Sequence, residues 1–210
     1  KNLRDQAIIV DLICHGVPSY FLWVKYLSDI DKKHGTGDHP AVLFRSKERE
    51  WRRRLLLVDG NGQVYKKEEN KDDFYAFFRR GLCYMESCSD CPYRERSAAD
   101  LRIGDYWGDR FAYDKQGVSM VISNTTNGDD LINTIEFKKT CDVSPHNLTE
   151  YWSVQFPYNQ TRPLIREQLI TELKNDNIAL HTLRKKYCAY YDQMESITKI
   201  IRFVRKIVKR

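Results

Sequence analysis

A group of three cysteines at Cys83, Cys88 and Cys91, with Pro92 directly after the last, most constrains what this chain can fold into. Two cysteines separated by two residues can turn both thiolates toward one metal centre, and clustered cysteines at such spacings are typical of metal sites. A proline after the last cysteine recurs in iron–sulfur loops, where its ring stops the loop from continuing as a helix. The pattern predicts a metal-binding loop. The alternative is that these cysteines are small apolar residues of the core.

An alternating apolar run over residues 99–107 follows this loop and predicts a strand. The strand ends in Asp105, Tyr106 and Trp107, which would bring a carboxylate and two aromatic rings to one place. Tyr106 and Trp107 are candidates to line a planar cofactor, with Asp105 holding the loop by hydrogen bonds. Burial of the Trp107 ring in the core is the alternative for that residue, and we favour it.

A nearly continuous apolar run over residues 6–13 predicts a strand covered on both faces. The run ends at Cys14, where a turn and the start of a helix bring backbone N–H groups that stabilise a thiolate. Cys14 is therefore a candidate metal ligand or nucleophile, or else a packed cysteine at the end of a strand. Cys141 and Cys188 have no ligand spacing, and we expect both to be structural.

Strands and helices interleave along the chain, which predicts an α/β or α+β fold with a mixed β-sheet flanked by helices. Ser19 is the expected N-cap of the first helix, and the turn at residues 59–62 predicts a β-hairpin. The predicted helices span residues 20–33, 72–82, 127–139, 162–173, 178–190 and 197–210. We divide the chain into a main domain over residues 1–155, which carries the cysteine group, and a helical C-terminal extension over residues 156–210.

Composition excludes several classes of protein. With 210 residues, of which 41% are hydrophobic, the chain is expected to be globular rather than disordered. A net charge of +6, with acidic residues interspersed, does not indicate nucleic-acid binding. No stretch approaches the roughly 18 consecutive apolar residues of a membrane span. Without a visible secretory signal we expect a cytoplasmic, reducing compartment, in which clustered cysteines bind metal or perform redox chemistry.

Residues 197–210 predict an amphipathic helix with an aliphatic stripe and six cations mostly opposite it. Such a helix can lie on an anionic membrane surface, dock on an acidic partner, or pack onto its own domain. We expect a packed helix whose basic face allows weak peripheral membrane association.

Arg45, Ser46 and Lys47 follow a short predicted strand, with Trp51 four residues further on. Cations beside an aromatic ring suit the phosphate and ring system of a cofactor. The alternative is the solvated edge of a hairpin.

Taken in order, several segments resemble the C-terminal domain of the coenzyme F-420 (deazaflavin) hydrogenase/dehydrogenase beta-subunit family. They are DLICHGVPS, FRSKEREW, CSDCPYRERSAADLRIGDYWG, VSMVISNTTNG and FPYNQTRPLIREQ. The resemblance implies an iron–sulfur flavoprotein oxidoreductase with a 4Fe–4S cluster and FAD. It also implies electron transfer to or from a redox partner protein, a ferredoxin or a small-molecule substrate.

The resemblance also implies roles for particular residues. The cluster positions of the family correspond to Cys14, Cys88 and Cys91, and Cys83 is the candidate for a fourth ligand. Arg45, Ser46 and Lys47 become candidate flavin or substrate contacts. Family members commonly have Leu-Arg-Pro-Ser-Cys where this chain has Tyr-Met-Glu-Ser-Cys, a departure that concerns the surface facing a partner.

Three alternatives remain open at this point. The spacing of Cys83, Cys88 and Cys91 also matches plant-type 2Fe–2S proteins, with Cys141 or Cys188 as the fourth ligand. A structural zinc site on a non-catalytic interaction domain would use the same cysteines. A domain that has lost catalysis could serve as a scaffold in a larger assembly.

Overall fold

The structure, a computed structural model, describes residues 3–46, 48, 50–51, 55–94, 96–136 and 164–208. This part of the chain contains two three-stranded sheets and five α-helices, which confirms the α+β class and the mixed sheet with flanking helices. In chain order the elements are β1 (Val10–Leu12), α1 (Tyr20–His34), β2 (Ala41–Ser46), β3 (Leu55–Gly60), β4 (Gln63–Glu68), α2 (Asp73–Phe78), β5 (Leu101–Asp105), β6 (Ser119–Ser123), α3 (Thr126–Thr134), α4 (Arg166–Leu173) and α5 (Leu180–Val208).

The chain folds into two compact units, each assembled from segments that are distant in sequence. The first comprises Lys1–Gly16, Glu50–Arg52 and Ser87–Thr161, and the second comprises Val17–Arg49, Arg53–Glu86 and Arg162–Arg210. The predicted domain boundary near residue 155 falls outside the described residues and stays a prediction.

A mixed sheet with β5 at its centre forms the frame of the first unit. β1 pairs with β5 in parallel, with Leu12 opposite Ile103, and β6 pairs with β5 in the antiparallel direction, with Val121 opposite Ile103. A small core of buried apolar side chains covers part of this sheet: Ile13, Tyr106, Met120 and Ile122. The sheet places the end of β1, and therefore Cys14, beside the strand that follows the cysteine loop.

The prediction that residues 6–13 form a strand covered on both faces is wrong. Only Val10–Leu12 is a strand, and Leu3–Gln6 forms a 3₁₀ turn. Val10 is 47% exposed and Leu12 is 65% exposed. The physical reason is position, because β1 is one edge of the sheet whereas α3 packs beside β6 at the other edge.

The second unit combines the antiparallel sheet β2–β3–β4 with four helices around one apolar core. Ser19 caps α1 as predicted, since its hydroxyl accepts a hydrogen bond from the N–H of Phe21 at 3.3 Å. The β3–β4 hairpin is also confirmed, with Asn61 and Gly62 both at positive φ as this tight turn requires. The largest fully buried apolar side chains of this core are Phe77, Leu22, Leu56, Leu82, Leu169, Leu180 and Leu183.

The C-terminal region forms one helix where the sequence predicted two. α5 runs without interruption from Leu180 to Val208. The residues between the two predicted helices include neither glycine nor proline, so nothing local ends the helix there. None of the helices in the described ranges has a stretch both long enough and apolar enough to cross a membrane.

Candidate metal centre

Cys14, Cys88 and Cys91 line one pocket of the first unit. The pocket has a volume of about 280 Å³, close to the lower end of the range for small-ligand sites, roughly 300 Å³. Polar side chains of Asp11, His15 and Arg94 share its wall, and Leu12, Gly16 and Tyr93 complete it. The fold therefore brings the strand-end cysteine to the two cysteines of the loop, although they are far apart in sequence.

The turn after β1 sets the position of Cys14. The N–H of Ile13 still donates to the carbonyl of Ile103 at 2.8 Å, so the chain remains attached to β5 up to the residue before Cys14. Gly16 then adopts a φ of 144°, a value that side-chain-bearing residues rarely reach. The chain therefore leaves the sheet immediately after the cysteine, and the Cys14 side chain is exposed.

The loop that carries Cys88 and Cys91 is shaped by short 3₁₀ turns. Cys88 ends the turn Glu86–Cys88, and Cys91 immediately precedes the turn Pro92–Arg94. The N–H of Arg94 donates to the carbonyl of Cys91 at 3.3 Å, which folds the chain back directly behind this cysteine. Both side chains are half-buried, so the thiols are supported by the protein yet open to the pocket.

Three cysteine side chains form the donor set of this pocket. Among the described residues, no group of three or more His, Cys, Asp or Glu side chains is arranged to hold a single metal ion. Three thiols around a pocket open to solvent suit the thiolate ligation typical of iron–sulfur clusters.

Cys83 lies in a different environment from the other three cysteines. It is fully buried in the apolar core of the second unit, and it is not among the residues that line the cysteine pocket. Burial, reinforced by the nearby Cys188 thiol, raises the pKa of Cys83 to about 12. Burial likewise raises the pKa of Cys188 to about 11. Both thiols are therefore protonated at neutral pH. Cys141 lies outside the described residues.

The two groups of predicted cofactor contacts belong to different units of the chain. In the second unit, Arg45 is half-buried and Ser46 is buried at the end of β2, while Lys47 lies outside the described residues. In the first unit, Asp105 is half-buried at the end of β5, and Tyr106 is 3% exposed in the small core.

The aromatic residues after β5 form an internal cluster of the first unit. The Tyr106 ring lies 5.2 Å from that of Phe111, between centroids. Gly108 approaches Tyr106 so closely that an added Cβ would overlap the phenol oxygen. The half-buried Trp107 stacks at a tilt on Trp51, with centroids 4.6 Å apart. This packing holds the end of β5 against the small core of the first unit.

Two features of the pocket were not predicted from the sequence. Asp11 lines the pocket, and the buried Arg102 forms an ion pair with Asp11 from the neighbouring strand. A charged residue between the apolar neighbours Leu101 and Ile103 of a predicted strand was a visible signal. A buried charge needs a partner, and the sequence did not identify that partner.

The fold and the pocket define an α+β protein in which three cysteines line one pocket beside the end of a parallel strand. The family model for the C terminus of the coenzyme F420 hydrogenase/dehydrogenase beta subunit matches residues 1–148. The chain belongs to this family, as its motifs predicted, and the family implies an oxidoreductase subunit that works with protein partners. Neither the curated proteins nor the solved structures contain a match to the chain.

Proposed function

We propose that this chain is the cluster-binding part of an iron–sulfur flavoprotein oxidoreductase. It passes electrons between a 4Fe–4S cluster, FAD and a redox partner. The observation that carries the proposal is the convergence of Cys14, Cys88 and Cys91 on one pocket. These are the positions that the family resemblance implies as ligands, and nothing in their local sequence requires the strand-end cysteine to reach the loop.

In this proposal Cys14, Cys88 and Cys91 bind the cluster as thiolates. Iron stabilises the thiolate form, so ligation also deprotonates the cysteines. The spacing also nominates Cys83 as the fourth ligand, but its burial among apolar side chains opposes deprotonation. His15 and Asp11 also line the pocket and carry donor atoms.

FAD is the second cofactor of the proposal, and it supplies the step between one-electron and two-electron chemistry. Arg45, Ser46 and Lys47 are the proposed contacts from the end of β2. Asp105 and Tyr106 are the proposed contacts from the end of β5. Tyr106 is largely covered by its own core, so any contribution from it is to hold the loop rather than to stack on a ring.

The proposed partner is a ferredoxin or another protein subunit, and the proposed substrate is a small molecule. The proposed location is the cytoplasm, because clustered cysteines remain reduced there and are able to assemble a cluster.

The decisive experiment is anaerobic purification followed by a visible spectrum and an iron assay. An iron–sulfur cluster absorbs near about 400 nm, whereas zinc is colourless and redox-silent. Cys88→Ser should abolish bound iron. Cys188→Ser is the matched control, since Cys188 is buried in the core of the second unit, and it should leave iron content unchanged. Equal iron in the two variants contradicts the assignment.

A second candidate is a non-catalytic interaction domain that binds zinc or an iron–sulfur cluster. The same half-buried cysteines favour it, because structural zinc also takes thiolates. Flavin distinguishes the two: an enzyme of the proposed type should quench FAD fluorescence on binding and retain the flavin through purification. Zinc content without iron or flavin would favour the second candidate.

A further inference from the structure

A buried arginine ties together the two chain segments that carry the cysteines of the pocket. Arg102 is 2% exposed on β5. Its Nε donates to Oδ1 of Asp11 at 3.0 Å, which attaches it to β1. Its two terminal nitrogens donate to the carbonyls of Tyr93 and Arg94, at 2.8 Å and 3.2 Å respectively. The side chain thus spans from the strand before Cys14 to the turn after Cys91.

We call Arg102 and its hydrogen bonds to Asp11, Tyr93 and Arg94 the clamp. Arginine is particularly suited to this arrangement. A guanidinium has five N–H donors in a rigid plane, so it can serve three acceptors at fixed angles, which a lysine ammonium on a flexible stem cannot do. Asp11 is held from its other oxygen as well, because the Ser97 hydroxyl donates to Oδ2 at 2.6 Å. Each group that Arg102 binds lies within three residues of a pocket cysteine.

We propose that Arg102 is a positioning residue that holds Cys14 against the Cys88–Cys91 loop and neutralises the Asp11 carboxylate at the pocket wall. The electrostatic half of this proposal rests on the proposed function, because it requires a cluster in the pocket. The geometric half does not, because it concerns the distance between cysteines in the chain itself.

The electrostatic consequence follows from the charge of Asp11. A cluster becomes more negative when it accepts an electron, so an uncompensated carboxylate nearby disfavours the reduced form and makes the reduction potential more negative. With Arg102 in place the carboxylate is paired at 3.0 Å. Loss of Arg102 should therefore lower the potential, and loss of the Asp11 charge alone should raise it.

The geometric half is tested by bridging cysteines in the full chain with a short bis-maleimide and mapping the bridges by mass spectrometry. Bridges from Cys14 to Cys88 or Cys91 form only while the clamp holds Cys14 close to that loop. The bridge between Cys88 and Cys91 is an internal control, because both belong to one loop. Arg102→Met should lower the ratio of bridges that involve Cys14 to Cys88–Cys91 bridges severalfold. Arg102→Lys should give a ratio between those of Arg102→Met and the wild type. Arg96→Met is the matched control, since Arg96 is an exposed arginine of the same loop.

The ratio also separates positioning from general loss of fold. Global unfolding would change the circular dichroism spectrum and expose Cys83 and Cys188 to the reagent, whereas a local opening would change only the bridges to Cys14. An unchanged ratio in a folded Arg102→Met chain overturns the proposal. If Arg102→Met does not fold, the ratio in Arg102→Lys decides, and an unchanged ratio there overturns the proposal equally.

The electrostatic half is tested by redox titration of the cluster-loaded chain, monitored by electron paramagnetic resonance. We expect a more negative potential in Arg102→Met, a less negative one in Asp11→Asn, and a value near the wild type in the double variant. Shifts of the same sign in both single variants overturn this half. A wild-type chain without iron rejects the proposed function and this half with it, while the bridging ratio still decides the positioning role.

Discussion

The guanidinium of Arg4 forms a two-pronged ion pair with the buried carboxylate of Asp100. Nη1 lies 2.9 Å from Oδ2, and Nη2 lies 2.8 Å from Oδ1. The same carboxylate accepts hydrogen bonds from the N–H of Ile9 and from the hydroxyl of Thr125, the N-cap of α3. Asp100 therefore joins the start of the chain, the beginning of β5 and the first turn of α3 at one point.

The hydrogen bonds from Arg4, followed by those from Ile9 and Thr125, hold the pKa of Asp100 well below its usual range. A carboxyl whose pKa is lowered by folding stabilises the folded state above its unfolded pKa, about 3.9, and this contribution is lost as the pH falls below that value. We predict that Asp100→Asn lowers the stability of the protein strongly at pH 7. The difference from the wild type should shrink between about pH 5 and pH 2. Chemical denaturation across this range measures it, and a difference that does not change with pH would contradict the prediction.

Thiol reactivity should divide the described cysteines into two groups. Cys14 is exposed and Cys88 and Cys91 are half-buried, whereas Cys83 and Cys188 are buried, with pKa values raised to about 12 and about 11. Since the thiolate is the reactive form, we predict that a maleimide labels the first three in the native apo-protein before the other two. Peptide mapping over time gives the order. Labelling in urea, where all should react alike, is the control. Early modification of Cys83 in the native protein would refute the order.

Gly117 lies against the face of Trp51. Its φ is +87°, and an added Cβ would lie 2.7 Å from the indole ring. Gly117→Ala should therefore lower the free energy of unfolding through both backbone strain and a steric clash, by about 2–4 kcal/mol in total. Gly62→Ala is the matched control, because Gly62 has a φ of +70° but open space around it. It should cost only the strain, about 1–2 kcal/mol.

Denaturant titration of both glycine variants measures the comparison. In a Trp51→Ala background, Gly117→Ala should cost less than it does in the wild type, because the atoms that clash are absent, and a double-mutant cycle isolates this difference. Equal losses in the two glycine variants would show that the contact with Trp51 has no energetic weight.

Phe77 is central to the core of the second unit, where its side chain is fully buried. We predict that Phe77→Ala lowers the free energy of unfolding by about 3–5 kcal/mol, through lost apolar burial and the cavity left behind. Phe21→Ala is the control. Phe21 is 43% exposed, and its ring faces the Lys174 ammonium at 4.5 Å, an exposed contact worth about 1 kcal/mol or less. Similar losses for the two phenylalanines would contradict this description of the core.

The basic end of α5 should associate only weakly with anionic surfaces. Sequence predicts an aliphatic stripe opposite six cations over residues 197–210, and we expect the stripe to pack on the protein. Deleting residues 197–210 should lower the melting temperature. Any co-sedimentation with anionic vesicles at low salt should disappear at high salt, because screening weakens attraction between exposed charges. Binding that survives high salt would indicate apolar insertion instead.

Local features were predictable from the sequence because neighbouring residues determine them. Ser19 as a helix cap, the tight turn at Asn61 and Gly62, and the loop of Cys88 and Cys91 each depend on contacts within a few residues. The family was also readable, since its motifs occur in order along the chain, and the family model matches residues 1–148. The α+β class followed from the interleaving of the two periodicities.

Tertiary structure alone decided how distant segments meet. Spacing alone grouped Cys83 with Cys88 and Cys91, and only the family resemblance added Cys14, whereas the fold brings Cys14 to their pocket and buries Cys83 in another core. The exposure of β1 depended on its place at a sheet edge, which its apolar composition cannot reveal. The pairs Arg102–Asp11 and Arg4–Asp100 span 91 and 96 residues of chain, respectively. Their energies come from burial and distance in space, and neither quantity is encoded by the spacing of residues along the chain.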